Sequence, residues 1–72
     1  MNMNISEGKK GVTYTVKSVN GDHEMNTFLF SLGCFSGEKI TIIKKMRSNF
    51  IVNIKGGRYG IDKDLASVIE VI

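Results

Sequence analysis

Residues 12 to 19, Val-Thr-Tyr-Thr-Val-Lys-Ser-Val, alternate apolar and polar positions, with Val12, Tyr14 and Val16 on one side. A period of two predicts a half-buried strand, and Asn20-Gly21-Asp22 ends it with turn chemistry. From His23 the period lengthens: Met25, Phe28, Leu29 and Leu32 fall at i, i+3, i+4 and i+7, the stripe of an amphipathic helix. Asp22 suits its N-cap and Gly33 the left-handed position just past its end. After Gly37 the alternation returns, Ile40 and Ile42 lying opposite Lys39 and Thr41. Lys45 to Asn49 predicts a loop and Phe50 to Ile54 the next strand. Lys55-Gly56-Gly57-Arg58 carries a hairpin signal, and Arg58 to Ile61 is the returning strand. Asp62 caps one 3₁₀-like turn, and Ser67 to Ile72 closes the chain as a last strand. Five short strands with one helix between the first and the second describe a mainly β chain, a small barrel whose closure removes exposed sheet edges.

Length and composition narrow this reading. At 72 residues the chain makes a single domain, 1–72, in which residues 1–7 are expected to lie outside the ordered part. With 42% apolar residues, 24% charged and no proline, it is globular rather than disordered. The lone cysteine, Cys34, forms no internal disulfide, so a reducing, cytoplasmic setting is expected. The start, MNMNISEGKKG, lacks the apolar run of a signal peptide, and no stretch approaches the roughly 20 apolar residues of a membrane span. A net charge of +3 is compatible with nucleic acid or an anionic membrane surface, and equally with an ordinary solvated surface.

Candidate chemistry is sparse. A structural zinc site needs four nitrogen or sulfur ligands, and His23 and Cys34 supply one of each. Placed at the start and past the end of the predicted helix, they stand roughly 15 Å apart, too far for a nucleophile and its base. Asp62 and Asp64, with Glu70 nearby, attract a hard cation weakly, but no calcium-type loop surrounds them, and capping explains them better. The glycines at 56 to 60 lack the lysine and hydroxyl residue of a phosphate-binding loop. The expectation is a protein without catalytic residues, cofactor or metal site.

Two features bear on binding. Lys39, Lys44, Lys45, Arg47, Lys55 and Arg58 are interleaved with Phe50 and Tyr59, as in a nucleic-acid-binding barrel or as lysines guarding β edges. The end of the helix also carries more apolar residues than one stripe absorbs. Phe30 lies about 100° to 200° from most of that stripe, so it is exposed or wedged under the next turn, and Phe35 faces the barrel mouth or a partner.

Phe28 to Gly37, followed by the strand from Glu38 to Ile43, resembles the LL-x-LG-x-x-x-G helix-to-strand signature of ferrous iron transport protein A, the FeoA family. Gly57 to Ile61 and Asp64 to Val71 are similar to that family's hairpin and its A-x-x-I-x-V closing strand. The resemblance runs from about residue 8 to 72. It departs at Ser36, where proline is frequent, and at Asn26 and Thr27, where basic residues often precede the leucines. It implies an SH3-like barrel acting as a cytoplasmic accessory or regulatory module of FeoB, the ferrous iron permease with an N-terminal GTP-hydrolysing domain, at the inner face of the membrane. It implies no iron site in the module itself. Related domains end iron-dependent repressors, but a chain starting at Met1 leaves no room for a helix-turn-helix, so a stand-alone monomer or weak homo-oligomer is expected. On this reading Leu29, Phe30, Cys34 and Phe35 form the contact patch, with Lys44, Lys45 and Arg47 beside anionic lipid. Nucleic-acid binding by the basic set is the alternative, and direct Fe(II) carriage by His23, Asp62 or Asp64 a third reading.

Overall fold

A computed structural model describes residues 3–72. Its elements are β1 (Met3–Asn4), a 3₁₀ turn (Ile5–Glu7), β2 (Thr13–Val19), α1 (His23–Ser31), β3 (Lys39–Lys45), β4 (Asn49–Ile54), β5 (Gly57–Asp62), α2 (Lys63–Ser67) and β6 (Ile69–Val71). The strands make one antiparallel sheet in the order β1-β6-β2-β3-β4-β5. This corrects the expected five-stranded closed barrel: among the described residues there are six strands, and β1 and β5 remain the two ends of an open sheet.

The added strand comes from the N-terminus. Residues 1 and 2 lie outside the described residues, but Met3 and Asn4 pair with Val71 and Glu70, so the stretch expected to be disordered joins the sheet from residue 3 onward. The cause is local as well as tertiary. The Asn4 side chain accepts from the Ser6 N–H at 2.9 Å while the Glu7 carboxylate accepts from the Asn4 N–H at 3.0 Å, a reciprocal cap. That turn drives Ile5 to full burial. Counting β1, the helix α1 connects the second and third strands rather than the first and second.

Curvature comes from two register shifts, at Lys17 of β2 and Ile43 of β3. A bulge bends its strand, so β2 pairs with β3 through residues 13–15 and turns to pair with β6 through residues 16–19. The concave side holds the core, with Ile40 and Ile42 of β3, Phe50, Val52 and Ile54 of β4, and Ile61 of β5 all buried. The β4–β5 hairpin closes through Lys55 and Gly56 at φ 51° and 81°, the two positive values that a type I′ turn demands. Where one 3₁₀-like turn was expected, α2 forms five residues of α-helix, capped by the Asp62 carboxylate accepting from the Leu65 N–H at 2.8 Å.

Candidate functional site

α1 begins as its sequence predicts. The Asp22 carboxylate accepts from the Met25 N–H at 2.8 Å and satisfies one of the donors left open by the first turn. Its end is a paired hydrogen-bond motif: the Cys34 N–H donates to the Leu29 carbonyl and the Gly33 N–H to the Phe30 carbonyl, both at 3.0 Å, with Gly33 at φ +90°. In this motif the residue after the glycine packs back onto the last helical turn. Cys34 and Leu29 accordingly meet the core, and both are fully buried.

That burial corrects the expected contact patch. Leu29 and Cys34 have no surface to offer a partner; they belong to the core. Phe30 and Phe35 are exposed, at 47% and 40%, and Phe28, placed by periodicity in the core stripe, is exposed at 46%. The buried line of α1 centres on Leu29, with Met25 and Leu32 half-buried beside it, and Phe28 falls on its edge. At about 100° per residue, Phe28 and Phe30 flank Leu29 on opposite sides. Phe35, beyond the turn, lies under the Lys55 ammonium, which stands 5.1 Å from the ring centroid and pairs with Glu38 at 3.1 Å.

Burial also fixes the chemistry of Cys34. Desolvation raises its thiol from 9.0 to about 11, so it stays protonated and unreactive at neutral pH. His23 is exposed at the first position of α1. Among the described residues no group of three or more histidine, cysteine, aspartate or glutamate side chains is arranged to hold a metal ion, so the structure does not bring His23, Asp62 and Asp64 together for Fe(II).

An open groove of about 510 Å³ runs between α1 and α2. Met25, Phe28 and Leu65 supply its apolar wall, and Glu24, Asp62 and Asp64 its rim. Periodicity missed it, because its two sides are nearly forty residues apart in sequence and meet only through tertiary packing; the surplus of apolar side chains on α1 was its one sequence signal.

The family model of the FeoA domain matches residues 3–72. The chain belongs to the FeoA domain family. No curated protein sequence matches it. Its structure is similar to the crystal structure of the iron uptake regulatory protein FeoA, with a TM-score of 0.90 and 28% identity over 99% of this chain and 96% of that one. It also resembles Stenotrophomonas maltophilia FeoA complexed with zinc, described as a prokaryotic SH3 domain protein and put forward as a ferrous iron transport activating factor. That likeness has a TM-score of 0.87 and 21% identity over 97% of this chain and 89% of that one. A manganese-dependent transcriptional repressor shares the fold at a TM-score of 0.90 and 18% identity, over 99% of this chain but 41% of the repressor.

FeoA domains are tied to ferrous iron transport, and this one has the mainly β, SH3-like architecture of that family. No helix among its described residues is long and apolar enough to cross a membrane. The basic set does not assemble as a stacking platform in this FeoA domain. Phe50 is a core residue at 2% exposure and offers no ring face to bases, and Tyr59 is half-buried. Several cations have local partners: Lys39 donates to the Thr15 hydroxyl at 2.7 Å and Lys45 to the Gly8 carbonyl at 2.9 Å, with its ammonium 5.8 Å from the Phe50 ring centroid. Lys44, Arg47 and Arg58 are exposed.

Proposed function

We propose that this FeoA domain is a non-enzymatic accessory module of ferrous iron uptake, working in the cytoplasm by docking on a FeoB-type permease at the inner face of the membrane. The observation that carries this reading is the exposure of Phe28, Phe30 and Phe35 around one short helix, in a chain whose other phenylalanine is buried. A half-exposed phenylalanine gains about 1 kcal/mol when a partner covers its remaining surface, and covering such a ring costs little polar desolvation. Phe30 and Phe35 form the contact, Leu29 and Cys34 fix its backbone, and Lys44, Lys45 and Arg47 at the β3–β4 turn favour orientation toward anionic lipid. The domain binds no cofactor and carries no catalytic residue, and it acts as a monomer or weak homo-oligomer.

The test is capture of the detergent-solubilised permease by the immobilised domain. Phe30→Asp and Phe35→Asp, each verified as folded by circular dichroism, should weaken capture at least tenfold, the consequence of placing a charge where an aromatic ring is covered. Capture by both variants at the wild-type level would remove these residues from the contact.

A further inference from the structure

The groove between α1 and α2 has a charge opposite to that of the domain. The chain carries ten lysines and arginines against seven acidic residues, yet three of the seven carboxylates, Glu24, Asp62 and Asp64, line this groove and none of the ten cations does. Lys63, between the two aspartates in sequence, is not part of its wall. Beneath the rim lie Met25, Phe28 and Leu65, and Phe28 has nearly half its surface open to solvent. At about 510 Å³ the groove is roomy enough for one or two large side chains, and it is open to solvent rather than enclosed. Such a shape suits a segment laid across it better than an enclosed small molecule.

We infer that this groove seats a cationic peptide segment of the partner, anchored by an apolar side chain against Phe28 while its lysines or arginines pair with Glu24, Asp62 and Asp64. Sign and shape both select this occupant. An acidic or lipid-phosphate ligand meets three carboxylates, and a second copy, whose exposed Met46 lies between Lys45 and Arg47, is the competing occupant that a concentration series distinguishes. The Asp62 carboxylate already accepts from the Leu65 N–H. That bond fixes its position and leaves a second oxygen for the ligand, so Glu24 and Asp64 are the residues to vary. The inference deepens the permease reading by naming the chemistry of the permease segment, and it rests on that reading for the partner's identity.

The experiment titrates the isotope-labelled domain with a synthetic amphipathic Leu/Lys peptide and follows amide NMR shifts, with a Leu/Glu peptide of the same pattern as control. Shifts should concentrate at residues 23–28 and 62–66, the Glu peptide should produce none, and Glu24→Gln/Asp64→Asn should weaken the Lys peptide about tenfold. Shifts elsewhere, equal binding of the Glu peptide, or undiminished affinity of the double variant would overturn the groove assignment. Concentration-dependent shifts at the same amides without peptide would overturn it in favour of self-association. Capture of the permease separates the two readings. If wild type captures it and the double variant does so equally well, the groove assignment falls and the permease reading stands. If wild type captures none while the Lys peptide still maps to the groove, the permease reading falls and the groove remains.

Discussion

Gly33→Ala tests the joint on which the whole helix end depends. At φ +90° the position lies where an L side chain costs about 1–2 kcal/mol, which glycine avoids. The new Cβ would also stand 2.8 Å from Cδ of Lys55 and 3.4 Å from its Cγ. Both atoms belong to a flexible stem, so the lysine swings away rather than the backbone moving. In doing so it leaves Glu38, at 3.1 Å, and the Phe35 ring, at 5.1 Å. The Lys55 side chain is half-exposed, so these two contacts together are worth only about 0.5–1 kcal/mol. The sum is about 1.5–3 kcal/mol, a large share of the stability of so small a domain. Urea unfolding followed by circular dichroism measures it, and the same substitution in a Lys55→Ala background separates the two contributions: the backbone part persists and the remainder vanishes. A loss below about 0.5 kcal/mol in the wild-type background, or identical losses in both, would refute this account of the joint.

Other consequences are simpler to state. Phe50→Ala removes a fully packed ring from the start of β4 and should cost about 3–5 kcal/mol, enough to leave much of the chain unfolded at room temperature in a thermal-shift or circular dichroism measurement. Asp22→Ala removes the acceptor for the Met25 N–H and should cost about 1 kcal/mol, with faster amide exchange in the first turn of α1, while Asp22→Asn retains most of the stability. For Cys34 the folded-state value is the higher one. The unfolded chain therefore loses its proton first, and stability falls as pH rises from about 9 to about 11, by at most about 1.4 kcal/mol per pH unit. Cys34→Ala should abolish that part of the alkaline slope relative to wild type, and the wild-type thiol should react slowly with a disulfide reagent until the domain is unfolded.

Five of the six strands, the two capping aspartates and the hairpin were legible because each rests on local chemistry: alternation, a side-chain acceptor at Asp22 or Asp62, and a glycine at 56 that takes a positive φ, although the second positive φ falls on Lys55 rather than on Gly57. The burial of Cys34 was legible too, in hindsight of the same motif. Once Gly33 is given the left-handed position, the next residue must fold back on the helix, so Cys34 belongs to the core rather than to a surface patch. Likewise the period of two along β4 puts Phe50 on the side of Val52 and Ile54, away from bases. The Asn4-Ile5-Ser6-Glu7 cap is a recognisable signal, but whether it orders the terminus depends on Met3 finding Val71 nearly seventy residues later, which no local pattern shows. The acidic groove is of the same kind, since Glu24 and Asp64 share a rim only because the fold brings α1 and α2 to the two sides of one groove.

Because the same architecture forms less than half of a manganese-dependent repressor, the fold alone does not set the task. What distinguishes this chain is the set of side chains its core leaves uncovered. Phe28 and Phe30 stand about 160° apart around the axis of one helix, so no flat partner surface covers both. Either a partner wraps around α1, or two of its segments meet the domain separately, a cationic one in the groove beside Phe28 and an apolar one at Phe30 and Phe35. The alternatives differ in how substitutions combine. Separate segments joined by the body of the permease act as linked sites, so Glu24→Gln/Asp64→Asn and Phe30→Asp should each weaken capture, and their free energies should add within about 0.5 kcal/mol in the combined variant. A single wrapped segment couples the two sides, and the combined loss would then fall well short of the sum. Additivity measured on the permease therefore decides between two modes of docking that the exposed residues alone allow.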